Sequence, residues 1–164
     1  LRNAIAEQLH ALRVTAGDPA GKWFWHSPDP WFDPWWQPEM TRILKGAERV
    51  VRRNHDITEG RIIAELSFGF WRYVLTSHYE SSLWTPALRH AFRPGLARSD
   101  VYAAVEHLNS LRNRIAHHES LLGRNLVADV LRIEQLLDWI NPTAADWVMS
   151  DASRLAETWQ RKPT

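Results

Sequence analysis

Apolar residues at Leu1, Ile5, Leu9 and Leu12 recur at helical spacing and predict a first helix over 1–14, stopped by the turn cluster "TAGDPAG". The next nineteen residues, "KWFWHSPDPWFDPWWQPEM", hold four prolines and five tryptophans. Proline at that density forbids regular structure, so an ordered aromatic loop is expected. Helical patterning resumes from Pro38 to about Arg53. It returns from Thr58, a good N-cap, to about Ser77, with "IIAELSFGFW" as the apolar heart. Thr85 followed by Pro86 reads as a cap with proline at the first helical position, opening a short helix. A longer helix is expected from about Ser99 to Gly123, where glycine can take the left-handed conformation at the helix end. Another runs from about Leu126 to Ile140, with apolar residues at Val127, Val130, Leu131, Ile133, Leu136 and Leu137. "NP" at 141 and 142 breaks it, and "AADWVMSDASRLAETWQR" supplies one or two terminal helical pieces. No stretch alternates as a half-buried strand does. The pattern therefore predicts an all-α fold: one helical bundle domain over 1–164, with a long Trp/Pro-rich loop and no repeat or internal boundary.

Composition changes this picture only in places. At 164 residues the chain is long enough to bury a continuous core, and without cysteine it has neither a disulfide framework nor a thiolate metal site. No apolar run approaches the roughly 18 residues that cross a bilayer, and the charged opening "LRNAIAEQLHALR" is unlike a signal peptide, so a soluble, cytoplasmic protein is expected. The opening at Leu1 falls in mid-pattern, which admits a further helix ahead of it. Net charge is +1, so no global pull on nucleic acid is visible. Of 20 basic residues only Lys22, Lys45 and Lys162 are lysines. The rest are arginines, suited to forked contacts with carboxylate or phosphate, although a GC-rich genome gives the same bias.

The densest chemistry lies in "LRNRIAHHES", residues 111–120. With Leu111 as zero and about 100° per residue, Leu108, Ile115 and Leu122 fall at about +60°, +40° and +20°, defining a buried stripe. His118 falls inside that stripe, which favours a core histidine bonded to a neighbouring helix. His117 and Asn113 point away from it. By position alone His117 is a solvated surface residue. Asn113, one turn earlier, is near enough to hold an imidazole nitrogen and fix its tautomer. Arg112 lies about 140° from His117 but shares a face with Glu119, which is placed to hold the guanidinium by an ion pair. A site using both Arg112 and His117 is thus more easily assembled between two such helices than on one, as in a homodimer.

An arginine with a histidine, lacking a carboxylate pair or a metal cage, suits cleavage of RNA, whose 2′-hydroxyl is its own nucleophile. Histidine takes the hydroxyl proton or protonates the leaving 5′-oxygen, and arginine stabilises charge on the phosphoryl oxygens. The products are a 2′,3′-cyclic phosphate and a 5′-hydroxyl, with no metal or other cofactor expected. "HHES" is not H-E-x-x-H, because Leu122 stands where the second histidine would be needed, and no G-x-S-x-G, P-loop or dinucleotide fingerprint occurs.

"RNRIAH" at 112–117 matches the R-x4-H pattern, with a polar residue after the arginine, of the HEPN superfamily of helical ribonucleases. The longer "LRNRIAHHESLL" resembles the motif helix of the Abi-like, abortive-infection branch of that superfamily. "IIAELSFGFWRYVL", "LWTPALRHAF" and the opening "LRNAI" resemble the same branch, so that the likeness spans most of residues 1–140. The resemblance implies Arg112 and His117 as the catalytic pair, Asn113 as the supporting polar residue and His118 as the second histidine common in that branch. Arg114 and Glu119 beside them are expected to contact substrate. It further implies dimers through the motif helices, RNA as substrate, and a phage-defence or toxin setting with an antitoxin as a further partner.

Two features stay open at this level. The tryptophans of "WFDPWWQP" either stack on unpaired bases or plug the bundle, and "RVVRR" at 49–53 either touches phosphate or complements a helix end. Three functions compete: a metal-independent endoribonuclease, a catalytically silent RNA-binding relative, and a protein-binding module.

Overall fold

The computed structural model describes residues 1–24, 36 and 38–160, with Asn54 and 152–160 described by backbone alone. Every regular element among them is helical, in keeping with the all-α reading. Seven α-helices follow in chain order: α1 (Arg2–Thr15), α2 (Pro38–Asn54), α3 (Glu59–Glu65), α4 (Phe68–Tyr73), α5 (Arg98–Ala116), α6 (Leu126–Ile140) and α7 (Pro142–Gln160). No helix among the described residues is long and apolar enough to cross a membrane. The chain divides into two compact units, Leu1–Tyr102 and Ala103–Thr164, with the division falling inside α5.

The first unit is built around aromatic side chains. Trp23, Trp36, Phe70, Trp71 and Tyr79 are all buried, and their rings meet edge-on or tilted at centroid separations of 5.0–6.4 Å. Such contacts add specific geometry to the large apolar area that each ring removes from water. Of the aromatic loop, the described Trp23, Phe24 and Trp36 plug the core, whereas Trp31 and Trp35 lie outside the described residues. Glu59, in the first turn of α3, receives the Trp23 indole N–H at 2.7 Å and meets Nδ1 of His10 on α1 at 3.1 Å. Gly21 makes this possible: it has φ +59°, and a Cβ there would meet the His10 ring at 2.4 Å.

Thr58 caps α3 as expected, its hydroxyl accepting from the Arg61 N–H. The single helix expected from Thr58 to Ser77 is instead broken after Glu65. Leu66 and Ser67 adopt extended backbone, and α4 begins only at Phe68. The break redirects the chain so that Ile62, Leu66, Phe70 and Trp71 are all buried. After α4 the chain makes a 3₁₀ turn over Ser77–Tyr79, a π-helical turn over Glu80–Trp84 and a second 3₁₀ turn over Leu88–Ala91. The cap expected at Thr85 is absent, because its hydroxyl donates back to the Glu80 carbonyl at 2.9 Å. Arg98, at the start of α5, ties down this irregular stretch by donating to the Leu75 carbonyl at 2.7 Å and pairing with Glu80.

In the second unit α6 covers the expected range and packs against α7. Asn125 caps α6 through the Ala128 N–H. The "NP" break works as read: the Asn141 side chain accepts from the Ala144 N–H at 3.1 Å and Pro142 opens α7.

Candidate functional site

The motif helix stops earlier than its pattern implies. α5 ends at Ala116, and His118 has φ 55°, in the left-handed region where glycine is usual. The Glu119 N–H donates to the Arg114 carbonyl at 2.8 Å and the His118 N–H to the Ile115 carbonyl at 3.1 Å. These are the two bonds of a Schellman ending, with His118 in the place expected for Gly123. Gly123 does take positive φ, +80°, but in the connection that follows rather than at the helix end.

This ending overturns the face assignment beyond residue 116. His118 is exposed rather than buried in the apolar stripe, since a left-handed residue leaves the helical spiral. The stripe itself is uncovered in the single chain: Ile115 is 54% and Leu122 93% exposed, while Leu108 and Leu111 are half-buried. Arg112 and His117 are exposed and Asn113 is half-buried. The expected partnerships are also redistributed. Arg112 donates from Nη1 to the Asn113 amide oxygen at 3.1 Å, so Asn113 steadies the arginine instead of the His117 ring. Glu119 lies 3.6 Å from Nε of Arg114, not against Arg112, and Arg114 also donates from Nη2 to the Ser120 carbonyl at 3.0 Å. Arg114 and Glu119 therefore brace the turn that carries both histidines. Among the described residues the imidazoles of His117 and His118 have no hydrogen-bond or ion-pair partner. No three carboxylate or imidazole groups among those residues converge as they would around a cation.

A second constellation escaped the sequence reading. Asp129, in the first turn of α6, is 2% exposed. Arg124 from the connecting segment donates to both its oxygens, Nε to Oδ2 at 2.7 Å and Nη2 to Oδ1 at 2.8 Å. Nε2 of His107, on α5, meets Oδ1 at 2.6 Å. The forked Arg124 contact holds the Asp129 carboxyl below its ordinary range. Burial opposes that shift and the His107 bond adds to it. Asp129 in turn raises the Arg124 guanidinium further above its usual value. One buried carboxylate thus joins α5, the connection and α6, closing the hairpin whose turn presents His117. The signal was present in the pattern: Asp129 falls on the side of α6 that carries the buried Leu136, where a charge needs a partner.

The geometry offers an arginine steadied by an amide, two exposed imidazoles without a partner among the described residues, and a braced turn, all in the second unit. These groups can donate, accept and stabilise negative charge without further components. No family model, no curated protein and no solved structure matches this chain.

Proposed function

We propose that the chain is a metal-independent endoribonuclease of the HEPN, Abi-like kind, acting in the cytoplasm as a toxin or phage-defence effector. Two copies meet along the motif helix, and the site combines Arg112 of one with His117 of the other. The observation that carries this reading is that both residues stand in solvent with the His117 ring uncommitted, on a helix whose own Ile115 is left uncovered. An acid/base histidine must be reachable by its substrate, and His117 is exposed.

In the proposed step the 2′-oxygen attacks the adjacent phosphorus while His117 accepts the hydroxyl proton. The bond from phosphorus to the 5′-oxygen breaks, and that oxygen takes a proton from water, so each site needs one Arg112 and one His117. Arg112, held by Asn113, offsets charge on the phosphoryl oxygens. His118 and the Arg114–Glu119 brace set where His117 stands.

The reading is tested by incubating a mixed RNA pool with the protein in EDTA, beside a His117→Ala variant, and examining the new termini. Cyclic or 3′-phosphate ends with the wild type, falling roughly 10²- to 10⁴-fold in the variant, are the expected result. Intact RNA at micromolar protein would end the proposal. The uncovered apolar face equally favours a second reading, a protein-binding module whose partner covers that face; it expects a stable complex and no cleavage.

A further inference from the structure

The first unit carries a concave, cationic face that the cleavage chemistry does not use. α2 buries Met40, Leu44, Ala47 and Val51 along one side. Taking Leu44 as zero, its five bases, Arg42, Lys45, Arg49, Arg52 and Arg53, all fall between about +80° and +180°. They form a ridge opposite the buried side, spanning about 16 Å from Arg42 to Arg53 at the helical rise. Two carboxylates flank the ridge, and each is already engaged: Glu39 receives Arg42 at 2.9 Å and Glu48 receives Arg52. Lys45 and Arg49 are exposed and have no carboxylate partner among the described residues.

These two bases also line a groove of about 780 Å³, together with Arg42, Thr41, Gly46 and the edge of Trp36. A Cβ built at Gly46 would meet nothing within 4 Å, so the groove is open at that position. A solvated charged face needs neither segregation of its bases nor concavity. The combination of both, with the flanking carboxylates already taken, fits a ligand that brings several negative charges in a row.

We propose that the α2 groove binds the phosphate backbone of single-stranded RNA, with Lys45 and Arg49 as its two uncommitted phosphate contacts and Arg42 as a third, shared with Glu39. This deepens the ribonuclease reading by giving it a place where a long strand is held irrespective of sequence. Backbone contacts of this kind supply affinity without base specificity and weaken steeply with salt.

The test measures binding of a fluorescent oligouridylate across a salt series, using the His117→Ala chain so that the strand stays whole. Lys45→Ala with Arg49→Ala is expected to weaken binding about tenfold at moderate salt. The slope of log affinity against log salt should become shallower by about 1.4, from roughly 0.7 per lost contact to a single strand. Both residues are exposed, so an unchanged thermal midpoint verifies that the variant folds. Unchanged affinity and slope would overturn the proposal, as would equal binding of a polyglutamate peptide of the same charge. RNA binding that depends on these bases in a wild-type protein that never cleaves would support the groove and remove only the nuclease reading.

Discussion

α2 and α6 are similar in length, and each buries one side, but their other sides differ in kind. On α2 the outward side is cationic, so water covers it at no apolar cost. On α6, Leu126, Val127, Val130 and Leu131 face outward and are 43–70% exposed, opposite the buried Leu136 and Trp139. Ile115 and Leu122 extend this apolar exposure to the motif helix and the connection. Soluble surfaces tolerate scattered apolar residues, whereas several together on one helix mark a surface made for contact. The first unit thus gathers its apolar residues into an aromatic core, whereas the second leaves several of its own in solvent.

The contrast can be broken most forcefully in the first unit. Trp71→Ala removes a fully buried ring and is expected to lower stability by about 3–5 kcal/mol, read as a shift in the denaturant midpoint. A loss below 1 kcal/mol would mean that this core is loosely packed. In the second unit, Asp129→Asn replaces the carboxylate that Arg124 and His107 share. Because the folded-state pKa of Asp129 is depressed, its stabilising effect is complete above the ordinary carboxylate value near 4 and fades as pH falls through the lower folded value. Wild-type stability should therefore drop on acidification below about pH 4 by an amount missing from the variant, measured as thermal midpoint against pH. Identical profiles would remove Asp129 from the clamp.

Smaller effects sharpen the picture at the motif itself. His118→Gly relieves a left-handed non-glycine residue and should stabilise by about 0.5–1 kcal/mol. A loss of stability instead would show that the His118 side chain makes a contact worth more than the backbone strain. The smallest change in monomer stability, within about ±0.5 kcal/mol, is expected from Ile115→Asp, since that position on the motif helix is already exposed. The same substitution should abolish self-association in sedimentation. Unaltered association would place the dimer surface elsewhere.

Much of the architecture was legible in the pattern. α6 and its "NP" stop, the Thr58 cap and the start of α2 follow from local rules that act within a few residues. The break after Glu65 and the π-helical turn over Glu80–Trp84 were not legible, because burying Leu66, Phe70 and Trp84 outweighs local helix preference. The end of α5 was misread for a related reason. Gly123 was the sequence signal for a left-handed residue, but the backbone bonds from Glu119 to the Arg114 carbonyl and from His118 to the Ile115 carbonyl close the turn five residues sooner, around His118. The cluster of arginine, asparagine and histidine at 111–120 stands out in the sequence by its composition. The partners of its residues were not legible, since Asn113 and Glu119 could each reach two neighbours in an ideal helix that does not continue past Ala116.

The central claim, a site shared between two copies, has a direct test. Arg112→Ala and His117→Ala are each purified, shown to be inactive, and mixed so that subunits exchange. In a composite site the mixed dimers regain one intact arginine–histidine pair, so about a quarter of wild-type RNA cleavage should return. A mixture as inactive as either variant alone, under conditions where exchange is demonstrated, would contradict it.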